Sequence, residues 1–392
     1  MTNPTAKKPF TSRMKCRPTA AFGWWLVAAI ALLAVGWIKN INLVLLLSYL
    51  LVVLVGVNAY TAWQMVRRVV VTRQGLSPVF ARENVTMKLE VSNSTAAKSV
   101  VSIRDTINEQ NRVWFIPSLA AGAMVPITSS IAFVRGRHTG RAVQAESGYP
   151  FGLLNWKREV CAPAEVIVLP AVGMVDLPHL RRWLLRQGPG EGNVSRPMPR
   201  HASVDGDVRG LRPYRHGDGP RDVHWRSSAR RGELLVREYG QTAPLDLMII
   251  LDHWLPLIDD PEFVNGAAEA RLEWALSLAV SVAWAWAHAD LPGGLTLVIP
   301  GRRPVVASGS CSPGFVRQAF APLADLAGTT DMPTLPAVAT QPRQRTLRLL
   351  VSTRTGGSVT ESLRQAGVPF AISDPTQRPV WYTPPVGLDL PV

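Results

Sequence analysis

The side chains with the most chemical capacity crowd into residues 181–240, which hold thirteen arginines, no lysine, seven acids and three of the seven histidines: His201, His216 and His224. The core of this stretch, Arg209 to Gly240, reads RGLRPYRHGDGPRDVHWRSSARRGELLVREYG. Guanidinium groups pair bidentately with carboxylates and phosphates, and they stack on rings such as those of Tyr214 and Trp225. His216, Asp218, His224 and Glu233 offer acid–base groups or ligands. Their spacing fits no H-E-x-x-H or other metal pattern, and no residue is assigned a catalytic role. Three readings stay open, in decreasing weight: an internal Arg–carboxylate network locking the stretch onto a neighbouring domain, a protein-docking surface, and a catalytic or phosphate-binding site.

A local helix is expected to hold these groups. Asp218 is placed to cap it, Pro220 falls in its first turn, and Gly232 lies just past its end. Val223 and Trp225 are expected to turn inward, with Arg221, Arg226, Arg230 and Arg231 solvated or paired. Leu234, Leu235 and Val236 read as the opening of a buried strand.

A second chemical position is Asp252, which follows the continuous apolar run Leu245–Leu251. Such a run suits a strand covered on both faces. Elements then alternate: a helix over Glu262–Ala287, a strand over Leu295–Ile299 and a third at Val305-Val306. A helix over Phe315–Leu326, a strand over Leu347–Val351, a helix over Val359–Gln365 and a strand over Pro369–Ile372 complete the series. This alternation predicts an α/β, mainly parallel, doubly wound sheet over residues 244–375. The tail, 376–392, is Pro-rich and expected to be extended, packing on the body or reaching a partner.

The elements upstream belong to a different solvent. Ala21–Ile38 is an uncharged apolar run, and a second covers Ile41 to about Trp63. Each suffices to cross a hydrocarbon core of ~30 Å as a helix. Together they predict a two-helix transmembrane hairpin over residues 21–65, after a basic tail, 1–20. A cleaved signal peptide is disfavoured because a second span follows at once with no A-x-A site. A buried soluble hairpin is disfavoured because neither run has a polar face. Lys7, Lys8, Arg13, Lys15 and Arg17 precede the first run, Arg67, Arg68 and Arg73 follow the second, and only Lys39 lies between. This asymmetry predicts a multi-pass membrane protein with both termini cytoplasmic. The Asn-x-Ser/Thr triplets at Asn84, Asn93 and Asn193 are then not glycosylated.

The net charge of +14 reflects that border. Ten Lys/Arg and no acid occur up to Arg82, whereas the remaining 310 residues carry 32 basic and 28 acidic side chains. The lipid bilayer is the expected partner of the excess, and no nucleic acid is expected. Three scattered cysteines, Cys16, Cys161 and Cys311, favour a reducing compartment. Residues 66–172 alternate with period two, at Val85, Met87, Leu89 and Val91 and again at Val125, Ile127, Ser129, Ile131 and Phe133. A β-sandwich acting as a spacer and binding module is predicted there. The arginine-rich connecting segment then spans 173–243.

The arginine-rich stretch resembles the signature of the bacterial domain of unknown function 58 family. The matching residues are Arg209, Leu211, Arg212, Tyr214, Arg215, Gly217-Asp218, Pro220-Arg221, His224-Trp225, Ser228-Ala229-Arg230, Gly232-Glu233-Leu234 and Val236-Arg237-Glu238. The resemblance extends to the hairpin, to Arg135-Gly136-Arg137 and to Tyr149-Pro150-Phe151-Gly152-Leu153. It implies a membrane-anchored protein whose last domain is like von Willebrand factor type A. It also implies a genomic neighbourhood with a MoxR-type AAA ATPase and transglutaminase-like membrane proteins, and it brings no enzymatic activity. The metal motif of that fold, Asp-x-Ser-x-Ser, is here Asp252, His253, Trp254, Leu255 and Pro256. Trp254 and Pro256 offer no side-chain oxygen for Mg²⁺. Asp252 is thus the one metal candidate, in a degenerate motif, and no cofactor is expected.

The motif or interaction candidates are Arg209, Arg212, Tyr214, Arg215, Asp218, Arg221, His224, Trp225, Arg226, Arg230, Glu233, Arg237 and Glu238. The leading functional expectation is a non-enzymatic scaffold or adaptor that recruits a cytoplasmic protein, with a MoxR-type AAA ATPase as candidate partner. A hydrolase or nuclease using the Arg/His/Asp segment is the alternative. A lipid or nucleic-acid sensor is a third, against which the near-balanced charge of residues 83–392 counts.

Overall fold

The computed structural model describes residues 12–75, 78–93, 99–187, 208–214, 223–239, 245–255, 267–289, 292–343, 345–373 and 376–388. The chain divides into two compact units, Met1–Leu169 and Pro170–Val392.

In the first unit, strand β1 (Lys15–Pro18) precedes helices α1 (Ala20–Ile38) and α2 (Asn42–Arg67). Both helices are long and apolar enough to cross a membrane. They pack as a hairpin. Gly36 is the point of close approach, since a Cβ there would sit 2.9 Å from the Leu45 side chain. Trp25 Nε1 donates to the Leu51 carbonyl at 3.2 Å.

The 26 residues of α2 rise ~39 Å, more than a ~30 Å hydrocarbon core needs. The surplus lies at its C-terminal end, where Asn58, Ala62 and Val66 are fully buried and Val66 joins the core of the β-rich unit. The second apolar run, expected to face lipid to about Trp63, therefore turns one face to protein from Asn58 onward.

Ten further strands complete this unit: β2 (Val69–Arg73), β3 (Val79–Phe80), β4 (Asn84–Asn93), β5 (Ser99–Ile107), β6 (Gln110–Leu119), β7 (Met124–Ala132), β8 (Gly136–Gly140), β9 (Val143–Ser147), β10 (Leu154–Cys161) and β11 (Ala164–Leu169). One sheet runs β1-β10-β9-β5-β8-β11-β3, with β6 also paired to β5; a three-stranded sheet runs β2-β4-β7. Period-two burial holds along β4, where Met87, Leu89 and Val91 are buried between exposed or half-exposed neighbours. Val71, Leu89, Val91 and Ile127 of the small sheet meet Val101, Ile103, Leu119, Val143 and Val160 of the large one in a common core. Strand β1 corrects the expected N-terminal tail: Lys15–Pro18 pairs antiparallel with β10. The chain thus enters the hairpin from this unit through β1 and leaves it directly into β2, so both ends of the hairpin lie on one side.

The second unit is built on a five-stranded sheet in the order β17-β16-β15-β18-β19. Before that sheet the chain forms β12 (Met174–Val175), α3 (Leu177–Gln187), β13 (Val208–Pro213), α4 (Trp225–Arg231) and β14 (Leu235–Tyr239). The sheet strands are β15 (Asp246–Asp252), β16 (Gly294–Ile299), β17 (Val305–Ser310), β18 (Thr346–Ser352) and β19 (Ala371–Ser373). All pairings are parallel except β16–β17. Met248, Ile250 and Leu350 cluster with Ala339, Val359 and Leu363. The last three come from α7 (Ala337–Thr340) and α8 (Ser358–Gln365). Leu247, Ile249 and Leu251 are also fully buried, and alternation puts them on the other face. Helix α5 (Ala267–His288) packs on β15 and β18.

The helix expected over Phe315–Leu326 is shorter. Helix α6 covers Pro313–Ala319, capped by Ser312, and a 3₁₀ turn follows at Ala321–Ala324. Pro322, inside the expected helix, has no N–H to extend the ladder. The tail is not free-standing: β20 (Tyr382–Thr383) pairs with β12, and Trp381 and Tyr382 are buried. Ser277 of α5 donates to the Ala171 carbonyl at 2.6 Å and shares a 2.8 Å hydrogen bond with the Tyr382 hydroxyl. Gly173 is needed at this crossing, because a Cβ would stand 2.4 Å from the Thr383 carbonyl oxygen.

Candidate functional site

Two places in the second unit carry the residues singled out by sequence. The first is the arginine-rich motif. Strands β13 and β14 form an antiparallel ribbon, with Leu211 opposite Arg237 and Arg212 opposite Val236. Arg209, Arg237 and Glu238 lie within its strands. Arg215, Asp218 and Arg221 lie outside the described residues.

Helix α4 begins at Trp225, and its N-cap is His224 rather than Asp218: the His224 Nδ1 accepts from the Ser227 N–H at 3.2 Å. Gly232 ends the helix in the left-handed conformation, φ 71°, as the sequence suggested and as a residue without Cβ permits. Ser228 fastens helix to ribbon. Its hydroxyl donates to the His224 carbonyl at 3.1 Å and accepts from the Leu235 N–H at 2.9 Å. Val223, Leu235 and Val236 are buried, in line with the pattern.

Trp225 departs from expectation. It is 64% exposed, and Tyr214, Leu211 and Leu234 are also exposed. Arg226, Arg230, Arg231 and Glu233 are exposed. Among the described residues these three arginines carry no ion pair; Glu191, Asp205, Asp207, Asp218 and Asp222, acids of the expected network, lie outside the described residues. Arg212 turns one Nη to the Pro213 carbonyl at 3.2 Å. The motif thus presents aromatic rings and arginines on the surface of a small helix–ribbon unit.

The second place is the C-terminal edge of the parallel sheet, where crevices in such sheets usually hold ligands. Asp252, at the end of β15, is 1% exposed, and Ser352 and Thr353, at the end of β18, are equally buried. The Ser352 hydroxyl donates to Asp252 Oδ2 at 3.2 Å, and Arg354 Nε donates to the same oxygen at 3.3 Å. The Arg354 guanidinium also lies over the Trp254 ring, 4.2 Å from its centroid, a favourable cation–π placement. Thr353 Oγ1 donates to the Trp254 carbonyl.

An internal cation, Arg354, therefore faces Asp252 at the end of β15, with the Trp254 ring stacked against it. The other Asp252 oxygen, Oδ1, is buried and has no hydrogen-bond partner among the described residues, and the same holds for His253 Nδ1. Burial lowers the pKa of His253 below its ordinary value, and the neighbouring Asp252 opposes this only in part. His253 is therefore neutral near pH 7. Among the described residues, no group of three or more His, Cys, Asp or Glu side chains is arranged to hold a metal ion. Sequence reasoning found Asp252 but missed Ser352 and Arg354. Their one signal was the polar Ser-Thr-Arg run directly after the apolar strand Leu347–Val351.

In the first unit, the Gly148–Leu153 loop holds the Tyr-Pro-Phe-Gly-Leu residues that the sequence singled out, and it sits at the base of the hairpin. Asn58 Nδ2 donates to the Gly148 carbonyl at 2.8 Å, and Asn58 Oδ1 accepts from the Leu154 N–H at 2.9 Å. Thr61 and Thr19 donate to the Tyr149 and Gly152 carbonyls at 3.0 and 2.8 Å. The loop thus clamps the N-terminus of α1 and the C-terminal third of α2 to one β-unit.

A family model described as protein of unknown function DUF58 matches residues 210–304, from the ribbon to the residue before β17. No curated protein matches the chain. Among solved structures, the CARDB domain of the PF1109 protein from Pyrococcus furiosus, crystallised in complex with di-metal ions, is similar at 15% identity. The alignment covers 26% of this chain and 91% of that domain, with a TM-score of 0.20. Residues 210–304, which take in most of the helix–ribbon unit and the first strands of the sheet, thus match the DUF58 domain of unknown function.

Proposed function

We infer that the chain is a membrane-anchored, non-enzymatic scaffold that recruits a cytoplasmic protein partner to the cell envelope. The observation that carries this reading is the surface of the helix–ribbon unit. Trp225, Tyr214, Leu211 and Leu234 are exposed on the same small unit as Arg226, Arg230 and Arg231. Trp, Tyr and Arg are the residues that dominate protein interfaces energetically, whereas an isolated soluble surface seldom displays them together. His224, the best acid–base candidate, is engaged as a helix cap. That speaks for scaffold over hydrolase.

The anchor rests on the hairpin, whose two ends enter one unit while its tip carries only Lys39. With the cationic border on the side of that unit, the positive-inside bias puts both termini in the cytoplasm of a bacterial inner-membrane, multi-pass protein. The second unit reads as a doubly wound domain like von Willebrand factor type A. Its ligand edge holds an arginine against Asp252, which favours metal-independent contact with protein. The partner supplied by the family resemblance is a MoxR-type AAA ATPase.

The test is co-purification of the full-length, detergent-solubilised chain with that ATPase, with and without ATP, for wild type and for Trp225→Ala/Arg226→Ala/Arg230→Ala. Recovery by wild type and loss by the folded variant is the expected result. Equal recovery by both, or none by either, overturns the assignment. A reporter fused after Val392 that is active only in the periplasm overturns the topology.

A further inference from the structure

We propose that a cleft at the edge of the large sheet, beside the start of α1, is a binding site for a phosphate-bearing anion, the headgroup of an acidic phospholipid being its source in the membrane. The cleft, about 210 Å³, is lined by six cationic side chains: Arg13, Lys15, Arg17, Arg104, Lys157 and Arg158. Two carboxylates answer them. Glu159 lies in the lining, and Glu146 is shared between Arg104 at 3.2 Å and Lys157 at 3.0 Å. Arg158 is committed to backbone, donating to the Arg67 and Val69 carbonyls at 3.1 and 2.6 Å. Arg13, Lys15 and Arg17 are exposed, and none of them has an ion pair among the described residues.

The strand register gives the second observation. Lys15 stands directly opposite Lys157, and like charges opposed across antiparallel strands destabilise the pair. Lys15 and Arg17 are two residues apart, so they share a face of β1. An anion between these groups removes the repulsion and gains charge-assisted hydrogen bonds. The position fits a headgroup. Arg17 precedes the first residue of α1 by three positions, ~10 Å of extended chain, and Thr19 between them is bonded to Gly152 and Leu153. Position along the membrane normal is thereby fixed by the fold rather than by tail dynamics.

The lipid source rests on the membrane reading above; the anion site does not. The experiment uses full-length protein and measures the thermal midpoint in three settings. These are neutral detergent with inorganic phosphate against chloride at equal ionic strength, nanodiscs of phosphatidylcholine, and nanodiscs containing phosphatidylglycerol. Wild type and Lys15→Gln/Arg17→Gln are compared. Both replaced side chains are exposed, so the variant is expected to fold and, without an anion, to melt no lower than wild type.

The expected result is a rise of several degrees with phosphate or with phosphatidylglycerol that falls by at least half in the variant. A response to phosphatidylglycerol alone assigns the site to lipid, and a response to phosphate alone assigns it to the free ion. No rise in any setting, or a rise that the variant keeps in full, overturns the site. Wild type that stays in solution without detergent overturns the membrane reading while leaving the phosphate measurement in force.

Discussion

Among the described residues, each unit holds a carboxylate buried against a largely buried guanidinium, and the two pairs differ in their setting. In the first unit Arg73 Nη2 meets Asp105 Oδ1 at 2.5 Å, both side chains 6% exposed, within the β-rich body. In the second unit Arg354 meets Asp252 at 3.3 Å with the arginine 15% exposed, at the edge of a parallel sheet. The Arg73 pair joins β2 of one sheet to β5 of the other. The Arg354 pair lies where the fold leaves strand ends and loops, and its arginine also covers a tryptophan ring. The same chemistry thus acts as an inter-sheet tie in one place and as a link between two strand ends, covered by a tryptophan ring, in the other.

The largest effect should come from breaking the tie. Arg73→Met leaves Asp105 charged and buried, which costs about 3–5 kcal/mol, measured by denaturant or thermal unfolding of the solubilised chain. Asp105 already has a raised pKa, because burial outweighs the opposing pull of Arg73. A raised carboxyl pKa means that folding is disfavoured above the folded-state pKa. That penalty is relieved as pH falls through it toward the ordinary value of 3.8. The Arg73→Met defect should therefore shrink on acidification, and a defect that grows instead would show that Asp105 is not its source. Arg73→Met/Asp105→Leu should recover most of the loss.

Breaking the second pair should cost less, about 2–3 kcal/mol, since Arg354 is partly solvated and water can enter. Arg354→Ser also frees the oxygens of Asp252 and Ser352, and the new serine adds another. The variant's thermal midpoint should then rise with millimolar Mg²⁺, which prefers such hard ligands, while wild type stays unresponsive. A wild type that is stabilised by Mg²⁺ would break the comparison, because Arg354 would no longer be the resident cation.

Much of this was legible in sequence because it is local. The apolar run ending at Asp252, the long helix behind it, the alternation along β4 and Gly232 all follow from neighbours within a few positions. What was hidden depended on distance or on neutral patterns. Arg354 reaches Asp252 across 102 residues, and no periodicity announces such a pair. Strand β1 is four exposed residues, KCRP, with no alternation to read. Val305 and Val306 suggested a strand but not its antiparallel direction, which only the return path from β16 decides. The surplus of α2 was invisible because a helix buried against protein and one buried in lipid use the same apolar side chains.

A smaller effect separates the units by pH. The His253 pKa is lowered by burial, so its neutral form belongs to the fold. Stability of the second unit should therefore decline as pH falls below about 6.5, the ordinary histidine value, whereas Asp105 pushes the first unit the opposite way at lower pH. Hydrogen exchange at pH 7 and pH 5.5 should show protection lost around β15 and β18 and kept in β2 and β5. His253→Asn should flatten the response. Equal loss in both units would mean that some other group governs acid sensitivity.

The smallest stability effect is expected at the exposed arginines, and it is the most informative about function. Arg226→Ala/Arg230→Ala/Arg231→Ala removes three cations that have no ion pair among the described residues, so it should shift unfolding by no more than about 0.5 kcal/mol. Arginine has a long apolar stem, so some of that shift would be lost packing rather than charge. If these side chains serve the fold as Arg73 and Arg354 do, the triple variant will instead lose several kcal/mol and the docking reading will fail with it. If they serve a partner, the melting curve will stay in place while the bound partner is lost. Arg→Lys at the three positions should then restore only part of the binding, because an ammonium keeps the charge but not the planar fork that pairs with carboxylates.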